Sequence, residues 1–134
     1  MNTIKRKIRL IDNDVVLSKL VSYGLGMIGY APRVENVSSH ALLAVRAFMS
    51  DLILLDVVMP DREEGAVAQQ LRAKVDICRI PLVYFTSRVS PEEAARLTEQ
   101  GERFLCKPMS IVRLKQYIET FFGDNLYGVS NVRR

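Results

Sequence analysis

The chain has 134 residues with a net charge of +4, 49% apolar and 25% charged residues, the make-up of one globular domain long enough to bury a core. Asp56 interrupts the longest apolar run, so no segment matches a membrane span, and the basic N-terminus lacks a signal-type apolar core and cleavage site; a cytoplasmic protein is expected. Two cysteines without CxxC spacing, Cys78 and Cys106, and one histidine, His40, argue against a disulfide framework, a His-rich metal centre and a Ser-His or Cys-His hydrolase.

Lys5, Arg6, Lys7 and Arg9 make the start basic, and Arg133 and Arg134 the end. They are read as solvated ends flanking a neutral body. Ile8 to Ile11 is a short strand that stops at Asp12-Asn13-Asp14. Asp14 then caps a helix from Val15 to about Ile28, with Val16, Leu17, Leu20, Val21 and Leu25 as its core stripe, loosened at its end by Gly24, Gly26 and Gly29. Pro32 to Val37 is a weaker strand. Ser38 or Ser39 can cap a second helix through Ala41, Leu42, Val45, Ala47 and Phe48, with His40 on its surface.

Leu52 to Leu55 is a continuous apolar run ending on Asp56, as expected of a strand buried on both faces. Gly65 to Val75 is a third helix with Val67, Ala68, Leu71 and Val75 inward. Pro81 to Phe85 is another apolar strand, ending on Thr86-Ser87. Ser90-Pro91-Glu92-Glu93 opens a fourth helix with a capping box and proline in the first turn, and Gly101 stops it. Phe104-Leu105-Cys106 is a strand leading into Lys107-Pro108, with Cys106 a small core residue. Ser110 caps a last helix through Leu114, Tyr117, Ile118, Phe121 and Phe122, and Gly123 ends it. Residues 1–124 are expected to form one domain and residues 125–134 a polar tail or the start of a linker.

Five strand–helix repeats imply an α/β fold, a doubly wound parallel sheet with helices on both faces. Parallel strands bring their carboxyl ends to one rim, where open sheets bind ligands. That rim would hold Asp12 and Asn13, Asp56, Thr86 with Ser87, and Lys107. Crowded carboxylates call for a cation, and hard oxygen ligands suit Mg²⁺. An ammonium and a hydroxyl beside them would receive phosphoryl oxygens, with Asp56 as nucleophile.

On these residues the chain resembles the receiver domains of bacterial two-component response regulators, over roughly residues 7–122. The matching pieces are Asp12-Asn13-Asp14, the segment from Leu54 through Asp56 and Met59-Pro60 to Asp61, Pro81 to Ser87, and Lys107-Pro108. The resemblance implies a five-stranded flavodoxin-like (βα)5 fold with strand order 2-1-3-4-5. It implies that a histidine kinase or phosphotransfer protein, or a small phosphodonor, phosphorylates Asp56 with Mg²⁺ held by Asp12, Asn13, Asp56 and the Val58 carbonyl. Thr86 and Lys107 would take the phosphoryl oxygens, with Ser87 beside them, and Phe104 would turn as Thr86 moves. Val58 and Arg88 would tune dephosphorylation. The output surface would be helix four, strand five and helix five, which could also pair a weak dimer; Arg96, Arg103, Arg113 and Lys115 could form a face there for an acidic partner. Neither an enzyme nor a direct nucleic-acid binder is implied.

Three departures from the family pattern stand out. Asn13 replaces a second acidic residue, which would weaken Mg²⁺ binding; the loop from Asp61 to Gly65 carries an extra residue; and Phe104 stands where tyrosine is common. They keep open a degenerate pseudo-receiver that binds partners without phosphorylation. Asp12-Asn13-Asp14-Val15-Val16 also fits the DxDxV motif of haloacid-dehalogenase-like phosphatases, with Asp12 as nucleophile and Asp14 as general acid. That reading lacks a later acidic pair and leaves Asp56 unexplained. A flavin module would need a phosphate loop where the Asp12–Asp14 carboxylates would repel phosphate.

Overall fold

The computed structural model describes residues 5–57, 65–87 and 89–123. Five strands, β1 (Lys7–Ile11), β2 (Ala31–Glu35), β3 (Leu52–Leu55), β4 (Leu82–Thr86) and β5 (Arg103–Cys106), form one parallel sheet in the order β2-β1-β3-β4-β5. Five helices alternate with them: α1 (Val15–Met27), α2 (Ala41–Ala47), α3 (Ala66–Arg72), α4 (Pro91–Glu99) and α5 (Ile111–Phe122). The fold class and strand order are as expected.

Because side chains alternate along a strand, each inner strand feeds two cores. Ile11, Ile53, Leu55, Leu82 and Tyr84 pack with residues of α2, α3 and α4. Ile8, Leu10, Leu52, Leu54, Val83 and Phe85 pack with Leu25 of α1 and with Leu114 and Ile118 of α5. All four residues of β3 are buried, which explains its unbroken apolar run. The helix starts follow local chemistry. Asp14 accepts from the Leu17 amide, Ser110 from the Arg113 amide, and Ser90 and Glu93 close a reciprocal capping box. Gly123 ends α5 in the left-handed conformation (φ 72°).

Several expectations need correction. On α1 the buried positions are Ser18 and Leu25, while Val16 is 71% and Leu20 63% exposed. The stripes at Ser18, Val21 and Leu25 and at Val16, Leu20 and Tyr23 have the same helical spacing. On the first, Asn36 Nδ2 donates to the Ser18 hydroxyl (3.0 Å), and Leu25, with Val21, packs into the core. Helix α1 also continues through Gly24 and Gly26 rather than loosening there. At Gly24 an added Cβ would lie 2.8 Å from Ile111, so glycine permits the close approach of α1 to α5. Neither Ser38 nor Ser39 caps α2; residues Ser38–His40 form a 3₁₀ turn, and His40, exposed as expected, precedes the helix without a side-chain cap. Val75 lies beyond the end of α3 and is 91% exposed. Cys106, expected in the core, is exposed at the end of the edge strand β5. Arg9, taken as part of a solvated basic start, is buried.

Candidate functional site

The parallel register brings the ends of β1, β3, β4 and β5 to one rim, and each end is fastened through the backbone. The Asp12 amide donates to the Glu35 carbonyl (3.0 Å), the Asp56 amide to the Ile11 carbonyl (2.9 Å), and the Lys107 amide to the Thr86 carbonyl (2.9 Å). Asp12, Asp56, Thr86 and Lys107 are all buried. Two carboxylates and an ammonium inside a protein must pair. Lys107 Nζ makes an ion pair with Asp12 Oδ2 and lies 3.6 Å from Asp56 Oδ2. Its Nζ also sits 5.5 Å from the centroid of the Phe85 ring. The Lys107–Pro108 peptide is cis.

The other oxygen of Asp12 accepts from the Asp14 amide (2.9 Å), which fixes the turn after β1. Asn36 Nδ2 donates to the Asp12 carbonyl (2.6 Å) as well as to Ser18. The sequence does not show this tie from the end of β2 to the acidic turn, because it reads Asn36 only as a polar residue of the strand Pro32 to Val37, and the partners lie 18 and 24 positions away. Thr86 is only 1% exposed, and its Oγ1 is buried without a hydrogen-bond partner among the described residues. A buried hydroxyl without a partner costs stability, so its retention suits a group that receives an external acceptor.

The remaining expected site residues divide. Asn13 is exposed at the rim rather than buried beside Asp12. Ser87 is exposed too, one residue past Thr86. Phe104 is half-buried, pairs in register with Tyr84, and packs against the core on the α2–α4 side. Val58, Arg88 and the loop from Asp61 to Glu64 lie outside the described residues. The Asp14 carboxylate caps α1 through the Leu17 amide (3.0 Å), which withholds it from the general-acid role that the phosphatase alternative assigns it. A cavity of about 250 Å³ opens beside the rim, lined by Val57, Gly65, Tyr84, Glu93, Arg96 and Leu97 among others. Of the basic residues expected to face an acidic partner, Lys115 is already paired with Glu119 (2.6 Å) and Arg103 stacks on Phe121.

No group of three or more His, Cys, Asp or Glu side chains suited to a metal occurs among the described residues. The donor set is two hard carboxylates, Asp12 and Asp56, with the Asn13 amide on the rim. Two carboxylates against one ammonium leave a negative balance, which fits a hard divalent cation with few protein ligands.

No protein-family model matches the chain. Among curated proteins it is 29% identical over 109 residues to the DNA-binding response regulator MtrA of Mycolicibacterium smegmatis, covering 81% of this chain and 46% of the relative. It is 30% identical over 103 residues to the probable transcriptional regulatory protein TcrX of Mycobacterium tuberculosis, covering 76% of this chain and 43% of the relative. The chain thus spans about half the length of the curated relatives it matches. Among solved structures, the chemotaxis protein CheY4 of Vibrio cholerae superimposes with a TM-score of 0.76 at 22% identity, over 87% of this chain and 98% of that one.

The similarity to response regulators and the receiver fold together support a two-component response-regulator receiver domain. Its relatives are signalling regulators. The expectation that the chain makes no direct contact with nucleic acid finds no support among them, since MtrA is a DNA-binding regulator. No helix of the described residues is long and apolar enough to cross a membrane.

Proposed function

We propose that the chain is a phosphorylation switch whose acceptor is Asp56. The observation that carries this reading is the buried constellation at the rim: Lys107 placed between Asp12 and Asp56, next to the strand that presents the Thr86 hydroxyl, which has no hydrogen-bond partner among the described residues. A carboxylate oxygen of Asp56 attacks phosphorus in the phosphohistidine of a histidine kinase, or in a small phosphodonor. The bond from phosphorus to its donor atom breaks, and an acyl phosphate forms on Asp56. Positioning and charge neutralisation supply most of the catalysis in such a transfer. Asp12, Asp56, Asn13 and the Val58 carbonyl would hold Mg²⁺, which when bound neutralises charge on the transferring group. Exposed Asn13 contributes no charge, so that binding is weak.

Lys107 leaves its pairing with Asp12 to meet a phosphoryl oxygen, and the Thr86 hydroxyl donates to another, with Ser87 flanking it. Thr86 and Phe104 project from the same face of the β4–β5 pair, since Tyr84 pairs with Phe104 and Thr86 with Cys106. Movement of Thr86 toward the phosphoryl group therefore frees room into which Phe104 turns, and the surface of α4, β5 and α5 changes for an output partner or a second copy. Val58 and Arg88 set how readily water reaches the acyl phosphate. Residues 1–124 make up this domain, and its activity is limited to accepting and losing its own phosphoryl group.

A second reading has a specific observation in its favour. Asn13 is exposed and Lys107 already bridges the carboxylates, an arrangement complete without metal. It describes a pseudo-receiver that binds partners without phosphorylation. Intact-mass measurement after incubation with Mg²⁺ and acetyl phosphate separates the two. A labile phosphoryl adduct on the wild type and none on Asp56→Asn is the expected result. An unlabelled wild type, folded and tested beside a receiver that does label, would give the pseudo-receiver reading the field.

A further inference from the structure

The N-terminal end of the sheet, opposite the Asp56 rim, carries a second concentration of charge. Lys7 and Arg9 alternate onto one face of β1, and Arg33 of β2 pairs in register with Arg9. All three converge on one ring: Lys7 Nζ lies 5.2 Å, Arg9 Cζ 5.4 Å and Arg33 Cζ 4.7 Å from the centroid of Phe48, which follows α2. A single ring attracts cations through its quadrupole, yet it carries no net charge to offset repulsion among three. Burial lowers the pKa of Arg9; of the neighbouring charges Glu35, which raises it, acts more strongly than Arg33, which lowers it.

Two carboxylates lie near the cluster, and each accepts a backbone hydrogen bond. Glu35 accepts from the Val37 amide and faces His40, and Asp51 accepts from the Lys7 backbone amide. None makes an ion pair with the three cations among the described residues. Arg9 is 5% exposed; it spends one Nη2 donor on the Ala44 carbonyl (2.7 Å), while its Nε is buried without an acceptor among the described residues. Arg9 is thus a fixed charge whose buried Nε lacks an acceptor among the described residues, and Arg33 and Lys7 are exposed head groups that lie over the Phe48 ring.

We propose that Lys7, Arg9 and Arg33 around Phe48 form a binding site for a phosphate oxyanion, separate from the acceptor aspartate. Guanidinium groups present planar donor pairs that match tetrahedral oxyanions. The oxyanion can be free, as inorganic phosphate or a nucleotide, or belong to a nucleic-acid backbone.

The test is an NMR titration of the whole chain with inorganic phosphate at constant ionic strength, following the Arg9 Nε–H and Phe48 ring signals. Saturable shifts confined to β1, β2 and Phe48 are expected, with affinity about tenfold weaker in Arg33→Gln, the loss anticipated for one charge-assisted contact. Arg113→Gln, which removes an equal charge from α5, should leave the curve in place. Because Arg33 is exposed, its substitution does not threaten the fold. A short DNA duplex that displaces phosphate identifies the backbone as the source; a nucleoside monophosphate that binds where the duplex does not identifies a small ligand. Shifts that never saturate, that chloride reproduces, or that persist unchanged in Arg33→Gln would overturn the site. Labelling of Asp56 is independent of each of these outcomes.

Discussion

Lys107 joins two buried carboxylates, so its charge is structural as well as chemical. Replacing it with methionine nearly keeps the length of the side chain and removes the ammonium that pairs with Asp12 and faces Asp56. Removing one partner of a buried ion pair costs roughly 3–5 kcal/mol, so Lys107→Met should unfold at distinctly lower urea than the wild type at neutral pH. If Asp12 and Asp56 hold Mg²⁺, the ion replaces the missing charge and should raise the Tm of Lys107→Met more than that of the wild type. A Tm of the variant indifferent to Mg²⁺ would remove the carboxylate pair from the metal site. The four rim residues were readable in the sequence because parallel strands leave one place for their carboxyl ends. Asn36 and Arg9 were not, because their roles depend on partners across the sheet: the Asp12 carbonyl for one, the Ala44 carbonyl and Phe48 for the other.

At the scale of the element, α1 shows why a hydrophobic period does not name the buried face. Val16, Leu20, Tyr23 and Met27 repeat at intervals of four, three and four, a regular apolar stripe, and all four are exposed. The inward stripe begins with a serine, which sequence patterning ranks below valine; its bond to Asn36 satisfies the hydroxyl while Val21, Leu25 and Ile28 pack into the core. Substitution separates the two faces. Leu25→Ala opens a cavity between α1 and the sheet and should cost about 2–5 kcal/mol. Leu20→Ser removes a side chain that packs mainly against solvent and should lie within about 0.5 kcal/mol of the wild type. Urea denaturation of the two variants checks the assignment, and equal losses would refute it. By contrast the ends of α4 and α5 were legible in full, because Ser90, Glu93, Ser110 and Gly123 act on amides and carbonyls within one turn.

At the scale of the whole molecule, α5 ties the edge strand β5 to the start of the inner strand β1 through aromatic rings. Tyr117 stacks on Phe121 (centroids 6.1 Å apart) and Phe121 meets Phe122 edge-on (5.1 Å). Arg103 at the start of β5 lies over Phe121, and Arg6 just before β1 lies over Phe122. The apolar spacing of α5 shows a core helix, but the arginines that cover its rings come from strands at opposite ends of the sequence. The ladder has a consequence for pH. Burial raises the pKa of the Tyr117 hydroxyl above its ordinary 10.0, and the nearby Arg103 charge offsets part of that rise. A group whose folded pKa exceeds its unfolded value holds its proton more tightly in the folded state. Its stabilising effect is therefore complete below about pH 10, the unfolded tyrosine value, and is lost as pH climbs through the folded value. Stability should then fall on the alkaline side, and Tyr117→Phe, which keeps the ring and removes the titrating hydroxyl, should flatten that part of the fall. Lysines also titrate in this range, but they do so equally in both proteins, so the difference between the two curves isolates Tyr117. Urea midpoints measured for wild type and Tyr117→Phe from neutral pH to beyond pH 10 would show curves that converge at neutral pH and separate above it. Parallel curves across the whole range would mean that the hydroxyl is hydrated in the folded chain.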